Sequence, residues 1–184
     1  MLEKLLKLIE LGAGEFEHVD AQHLATLDGT RCLLKAWAAR DALQQAGLYH
    51  LVYVSGELLN DQHALREQRK AVSALLGAEV EAIIYYCHAC DYGNLLEQDL
   101  NTHTLSIVDR FLRQYITLEI AMLKDICELA VAIEVENVLA KHQESTSKLL
   151  FLQQMLTKMH PYLSRAAKNK LYQISSLQGA ETNT

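Results

Sequence analysis

Proline occurs once in this chain, at Pro161, and glycine only eight times in 184 residues. In a helix interior a glycine costs about 1 kcal/mol and a proline about 3. Their scarcity therefore leaves long stretches free to be helical, and those stretches are filled with Leu, Ala, Glu, Gln and Lys, all good helix formers. Alternating β-branched runs of strand length are almost absent, so the chain reads as all-α. Half the residues are hydrophobic, enough for the core of one domain with a helical appendage.

About nine helices are expected. The first covers roughly 2–11 and ends at Gly12 and Gly14. The second, roughly 18–37, places Leu24, Leu27, Leu34 and Trp37 at helical spacing. A short helix near 40–46 leads by Gly47 into "LYHLVYVSG", read as a short buried helix. "LNDQHALREQRKAVSALLG" starts from an Asn60/Asp61 cap and stops at Gly77, and "AEVEAIIYYCHACDY" stops near Gly93. Two longer helices are predicted over roughly 103–116 and 118–141, then one over 145–158 and another from Pro161 to about 176. The implied division is a helical domain over 1–144, a C-terminal helical extension over 145–176 packing on it, and a flexible polar tail over 177–184. Leu149, Leu150, Leu152, Met155, Leu156 and Met159 give the extension an apolar stripe, to be buried against the domain or in a homodimer.

The formal net charge is −6 and no lysine or arginine cluster stands out, which argues against nucleic acid as a partner. No stretch reaches the roughly 18–20 uninterrupted apolar residues of a membrane span. The nearest, "DICELAVAIEVENVLA", is broken by Asp125, Glu128, Glu134 and Glu136. The N-terminal segment has acids throughout and no cleavage pattern, so the expected location is the cytoplasm. Of the four cysteines, Cys87 and Cys90 have C-x-x-C spacing, but no second ligand pair follows as a structural zinc requires. Cys32, Cys87, Cys90 and Cys127 are all expected to be buried, reduced thiols.

The chemistry-bearing residues cluster in the first half. His18, His23, His50, His63 and His88 lie there with Asp20, Asp28, Glu57 and Asp91, whereas His103, His142 and His160 fall at predicted helix ends. His50 is the most unusual, an imidazole among Leu48, Tyr49, Leu51, Val52 and Tyr53. His23 and His50 are 27 residues apart (50 − 23) on separate predicted helices. His88 and Asp91, at i and i+3, are expected to share a helix face. Histidines and carboxylates projecting from facing helices are the usual metal recipe in an all-α protein. The alternative is that they are core histidines bonded to backbone or tyrosine hydroxyls.

The stretch "HLATLDGTRCLLKAWAARDALQQAGLYHLVY" resembles the HD superfamily, all-α metal-dependent phosphohydrolases. It is most similar to an HD-like bacterial family of unknown function. The matching residues are His23-Leu24, Gly29-Thr30, Trp37, Ala46 to His50, Tyr53 and Gly56-Glu57. "REQRKAVSALLGAEVEAIIYYCHACD" continues the resemblance as far as Asp91, within a match over about 15–135. It implies an HD-like bundle with a pocket formed by His23, His50, Tyr53 and Glu57, and metal ligands drawn from His23, His50, Glu57, His88 and Asp91. Two departures weaken such a site: Leu51 stands where the family has a metal-binding aspartate, and "CELAVAIEVEN" has no aspartate where the family's last ligand falls.

Two classes of function follow from the resemblance. The first is an HD-like domain with an incomplete metal site that binds a small molecule or partner in its central pocket. The second is a metal-dependent enzyme, a phosphohydrolase or an iron-dependent oxygenase, with a divalent ion (Fe, Mn or Zn) on a non-standard His/carboxylate set.

Overall fold

The computed structural model describes residues 2–11, 21–53, 61–97, 105–141 and 146–181. Among them are nine α-helices and one two-stranded hairpin, so the all-α expectation holds. The first three helices are α1 (Leu2–Glu10), α2 (Ala21–Ala36) and α3 (Asp41–Tyr49). Helix α2 stops at a tight corner: Trp37 is buried, Ala38 is left-handed at φ 58°, and the Ala39 N–H reaches back to the Leu34 carbonyl at 3.0 Å. That is the helix-ending geometry glycine usually serves.

Gly47 does not end α3, as the sequence suggested; the helix runs through it to Tyr49. The residue is small for another reason. A Cβ there would sit 2.6 Å from Leu34 Cδ1 and 3.3 Å from Thr30 Cγ2, so glycine lets α3 close on α2. A 3-10 turn over His50–Tyr53 follows, in the segment read as short buried helix.

Helix α4 (Gln62–Leu76) starts as expected at Asp61, whose carboxylate accepts from the His63 and Ala64 N–H groups at 2.9 and 3.0 Å. It ends at Gly77, where φ is +99°, a conformation that L side chains rarely adopt. Helix α5 (Ala78–Ala89) begins at once. It stops short of the expected end near Gly93: Cys90 is extended, and a separate short helix, α6 (Tyr92–Glu97), follows.

The predicted helix over 103–116 is replaced by a hairpin. Strands β1 (Leu105–Asp109) and β2 (Gln114–Leu118) pair antiparallel, with Ile107 opposite Ile116 and Asp109 opposite Gln114. Asp109 drives the reversal. Its Oδ1 accepts from the Phe111 and Leu112 N–H groups at 2.8 and 2.9 Å, and Arg113 takes a left-handed φ of 55°. β-Branched Ile107, Val108, Ile116 and Thr117 favour the pleat. The hairpin docks on the end of α5, where Arg110 Nε donates to the His88 carbonyl at 2.6 Å.

Helix α7 (Ile120–Lys141) is the central element, packed on α2, α3, α5, α8 (Thr146–Met159) and α9 (Arg165–Glu181). This explains its continuous apolar reading: Ile126, Cys127, Leu129, Val131 and Ala132 are buried on successive faces, as expected of a helix surrounded on all sides. The C-terminal segment packs inward, with Leu152, Met155, Leu156 and Met159 buried while Leu150 is exposed. Helix α9 continues to Glu181, past the expected end near 176.

A polar chain runs through the core beside α5. Glu81 accepts from the Tyr53 hydroxyl at 2.8 Å and from Arg69 Nε at 2.7 Å. The Arg69 guanidinium lies 3.6 Å over the Tyr85 ring, and Tyr85 donates to buried Asp109 at 2.6 Å. The 3-10 turn, α4, α5 and the hairpin are thereby tied together. Because each of these buried polar groups has a partner, the chain serves to fix packing.

Candidate functional site

His50 is 6 % exposed, held where the 3-10 turn meets α5. Its Nδ1 donates to the Gly47 carbonyl, three residues back, at 2.8 Å. The ring faces His88 of α5, with centroids 6.5 Å apart and planes 12° from parallel. Burial pushes both imidazoles down to about 4, opposed at His50 by the Gly47 carbonyl and, at His88, reinforced by the neighbouring His50 ring. Both are neutral near pH 7.

Among the described residues the His88 Nε2 is buried with no partner. His88 lines a half-open cavity of about 170 Å³ between α5, α7 and α8. Cys87 and Tyr92 share its wall with His88. Ala130, Ile133 and Glu134 come from α7, Phe151 and Met155 from α8. The Tyr92 hydroxyl donates to Cys87 Sγ at 3.2 Å, and burial pushes the Cys87 thiol up to about 12, so this sulfur is no nucleophile at neutral pH. A second cavity of about 290 Å³, bordered by Gly93, Glu97, Gln154 and Lys158, shares Phe151 with the first.

The other expected site residues go elsewhere. His23 is exposed near the start of α2. Tyr53 is fully buried in the Glu81 network and does not line the cavity. Asp91 does not share a helix face with His88, because α5 ends at Ala89; it is exposed and accepts from the Asn94 N–H at 3.2 Å. Glu57 lies outside the described residues. Among the described residues no three His, Cys, Asp or Glu side chains are grouped to hold a metal ion. Two neutral imidazoles suit a divalent ion poorly unless carboxylates join them, the part that the resemblance gives to Glu57. All four cysteines are free thiols, as expected, but Cys32 is exposed, on the outer side of α2.

Sequence reasoning missed the cavity-facing roles of Glu134, Phe151 and Met155. Glu134 had a visible signal, an acid inside the apolar run that builds α7. Its neighbour Glu136 instead lies against Gly29 of α2, where a Cβ would come within 2.2 Å of its carboxylate.

Fold and site together define an all-α domain with a stacked pair of imidazoles, His50 and His88, the second of which lines a cavity. Residues 7–92 are similar to a domain of unknown function, DUF6817. That match takes in α2 to α5 and covers 86 residues (92 − 7 + 1), less than half of the 184. No match is found among curated proteins or among solved structures. No helix of the described residues is long and apolar enough to cross a membrane.

Proposed function

We propose that the chain is an HD-like, non-catalytic helical domain that binds a small molecule in the cavity beside His88. The observation that carries this reading is the cavity of about 170 Å³ between α5, α7 and α8, with His88, Ala130, Ile133, Phe151 and Met155 in its lining. Buried free thiols at Cys87, Cys90 and Cys127 support a reducing compartment, consistent with a cytoplasmic protein. A thermal-shift screen of small molecules tests the reading. Stabilising compounds should lose their effect in Ala130→Leu, which fills the cavity; hits indifferent to that substitution, or no hits at all, count against it.

The second reading is a metal-dependent phosphohydrolase or oxygenase. It is favoured by His50, whose Nδ1–H bond to the Gly47 carbonyl is the outer-shell arrangement of metal-binding histidines. It requires carboxylate ligands beyond those grouped near His50 and His88, the role the resemblance assigns to Glu57. Elemental analysis of purified protein separates the two: stoichiometric Fe, Mn or Zn that is lost in His50→Ala favours the enzyme.

A further inference from the structure

We propose that the outer edge of β2 pairs with the same edge of a second copy of this chain, joining two hairpins into one four-stranded antiparallel sheet. The free edge follows from the register. On β1, the Val108 carbonyl accepts from the Asp91 N–H at 3.3 Å, and just beyond it the Arg110 N–H donates to the Ala89 carbonyl at 2.9 Å. Val108 and Arg110 therefore turn these backbone groups away from β2, and strand alternation turns those of Leu105, Ile107 and Asp109 toward it. Their partners are Leu118, Ile116 and Gln114. Tyr115 and Thr117 thus direct their N–H and C=O groups outward, and among the described residues none of these groups is hydrogen-bonded. Such an edge is a template for another strand, and natural chains guard it with proline, lysine or a bulge. Strand β2 reads Gln-Tyr-Ile-Thr-Leu, and its register with β1 is unbroken, so it carries none of these guards.

Charge selects the occupant. Arg113 and Glu119 flank β2, both exposed and in no ion pair among the described residues. Two antiparallel copies centred on Ile116 bring Arg113, three residues before the centre, opposite Glu119, three after it (116 − 3 and 116 + 3). The same register satisfies the hydrogen bonding. Tyr115 falls opposite Thr117 of the second copy, and both are outward-facing residues, so each such pair exchanges two N–H···O bonds. On the solvent face, Tyr115, 76 % exposed, gains a β-branched cross-strand neighbour. Sliding one copy by two residues keeps the backbone bonds but separates Arg113 from Glu119. A foreign strand would need its own acid and base at matching positions.

The interface is short, so association is weak and concentration-dependent. Sedimentation velocity of the full chain from about 10 µM to about 1 mM should show monomer giving way to dimer. Amide exchange at Tyr115 and Thr117 should slow as the dimer forms. Thr117→Pro removes an outward N–H without removing a bond to β1, and should abolish the dimer. Arg113→Glu and Glu119→Arg each set like charges opposite one another and should raise the dimer Kd at least about tenfold. Mixed in equal amounts, these two variants should associate again, because each then meets its opposite. That rescue keeps the proposal testable should Thr117→Pro not fold. A monomer throughout the range overturns the second copy as occupant. A dimer that survives Thr117→Pro overturns the edge, and a mixture no tighter than the single variants overturns the register.

Discussion

Acidification should destabilise this protein well before its carboxylates titrate, and the His50–His88 pair is the reason. Each imidazole stands at about 4 in the fold, against 6.5 as the ordinary value. As pH falls below 6.5 the unfolded chain takes up protons that the folded chain refuses, so stability decreases with falling pH until about 4 and is unaffected well above 6.5. Linkage gives a loss of about 2 kcal/mol per histidine at about pH 5, or about 4 for the pair. Against a typical total of roughly 5–15 kcal/mol this is a large fraction. Carboxylates lowered by their partners, such as Glu3, Asp61 and Glu67, lose their contributions at lower pH. Glu136, raised by burial, works in the opposite direction, so the observed drop is a net value. Urea denaturation at about pH 7.5 and about pH 5 should show the midpoint falling by roughly 2 M, for a slope near 2 kcal/mol per M. The variant carrying both His50→Gln and His88→Gln should be less stable at neutral pH but lose most of this acid sensitivity. Equal midpoints at the two pH values, or an unchanged drop in the double variant, would refute the reasoning.

Gly47→Ala gains about 1 kcal/mol of helix propensity, but drives a methyl to 2.6 Å from buried Leu34. Overpacking of about 1–3 kcal/mol should win, giving a net loss on the order of 1 kcal/mol in a thermal melt. Glu81→Gln leaves the Arg69 guanidinium without its carboxylate and should cost about 3 kcal/mol, whereas Tyr53→Phe removes one hydrogen bond to that carboxylate and should cost about 1. Chemical denaturation of the two variants side by side checks the ordering. Ala38→Gly should raise the melting temperature: relief of the left-handed φ, about 1–2 kcal/mol, exceeds the added chain entropy of about 0.4–1.

Helices were legible wherever punctuation and periodicity agreed. Asp61 and Gly77 mark the ends of α4 because a side-chain cap and a positive φ are strictly local requirements. The hairpin was hidden for the opposite reason. Leu105, Val108 and Leu112 fit a helical stripe, and only the backbone bonds accepted by Asp109, together with docking on α5, decide for strands. At the site, the sequence singled out His50 correctly as buried, and His88 as its companion in a shared list. It misplaced Asp91, since nothing in "CHACDYG" announces that the helix ends at Ala89. Glu134, Phe151 and Met155 come to His88 only through the packing of α7 and α8, a long-range outcome that no spacing encodes.

That same packing divides the cavity between two parts of the chain. His88 falls within the stretch similar to DUF6817, whereas Phe151 and Met155, from α8, fall outside it. The two walls of the cavity are therefore set by separate stretches of sequence. A chain that keeps α2 to α5 keeps the position of His88, while substitutions in α8 reshape the cavity that His88 lines. On the ligand-binding proposal, a molecule found for one protein alike over that first half would transfer to another only as far as α8 is alike.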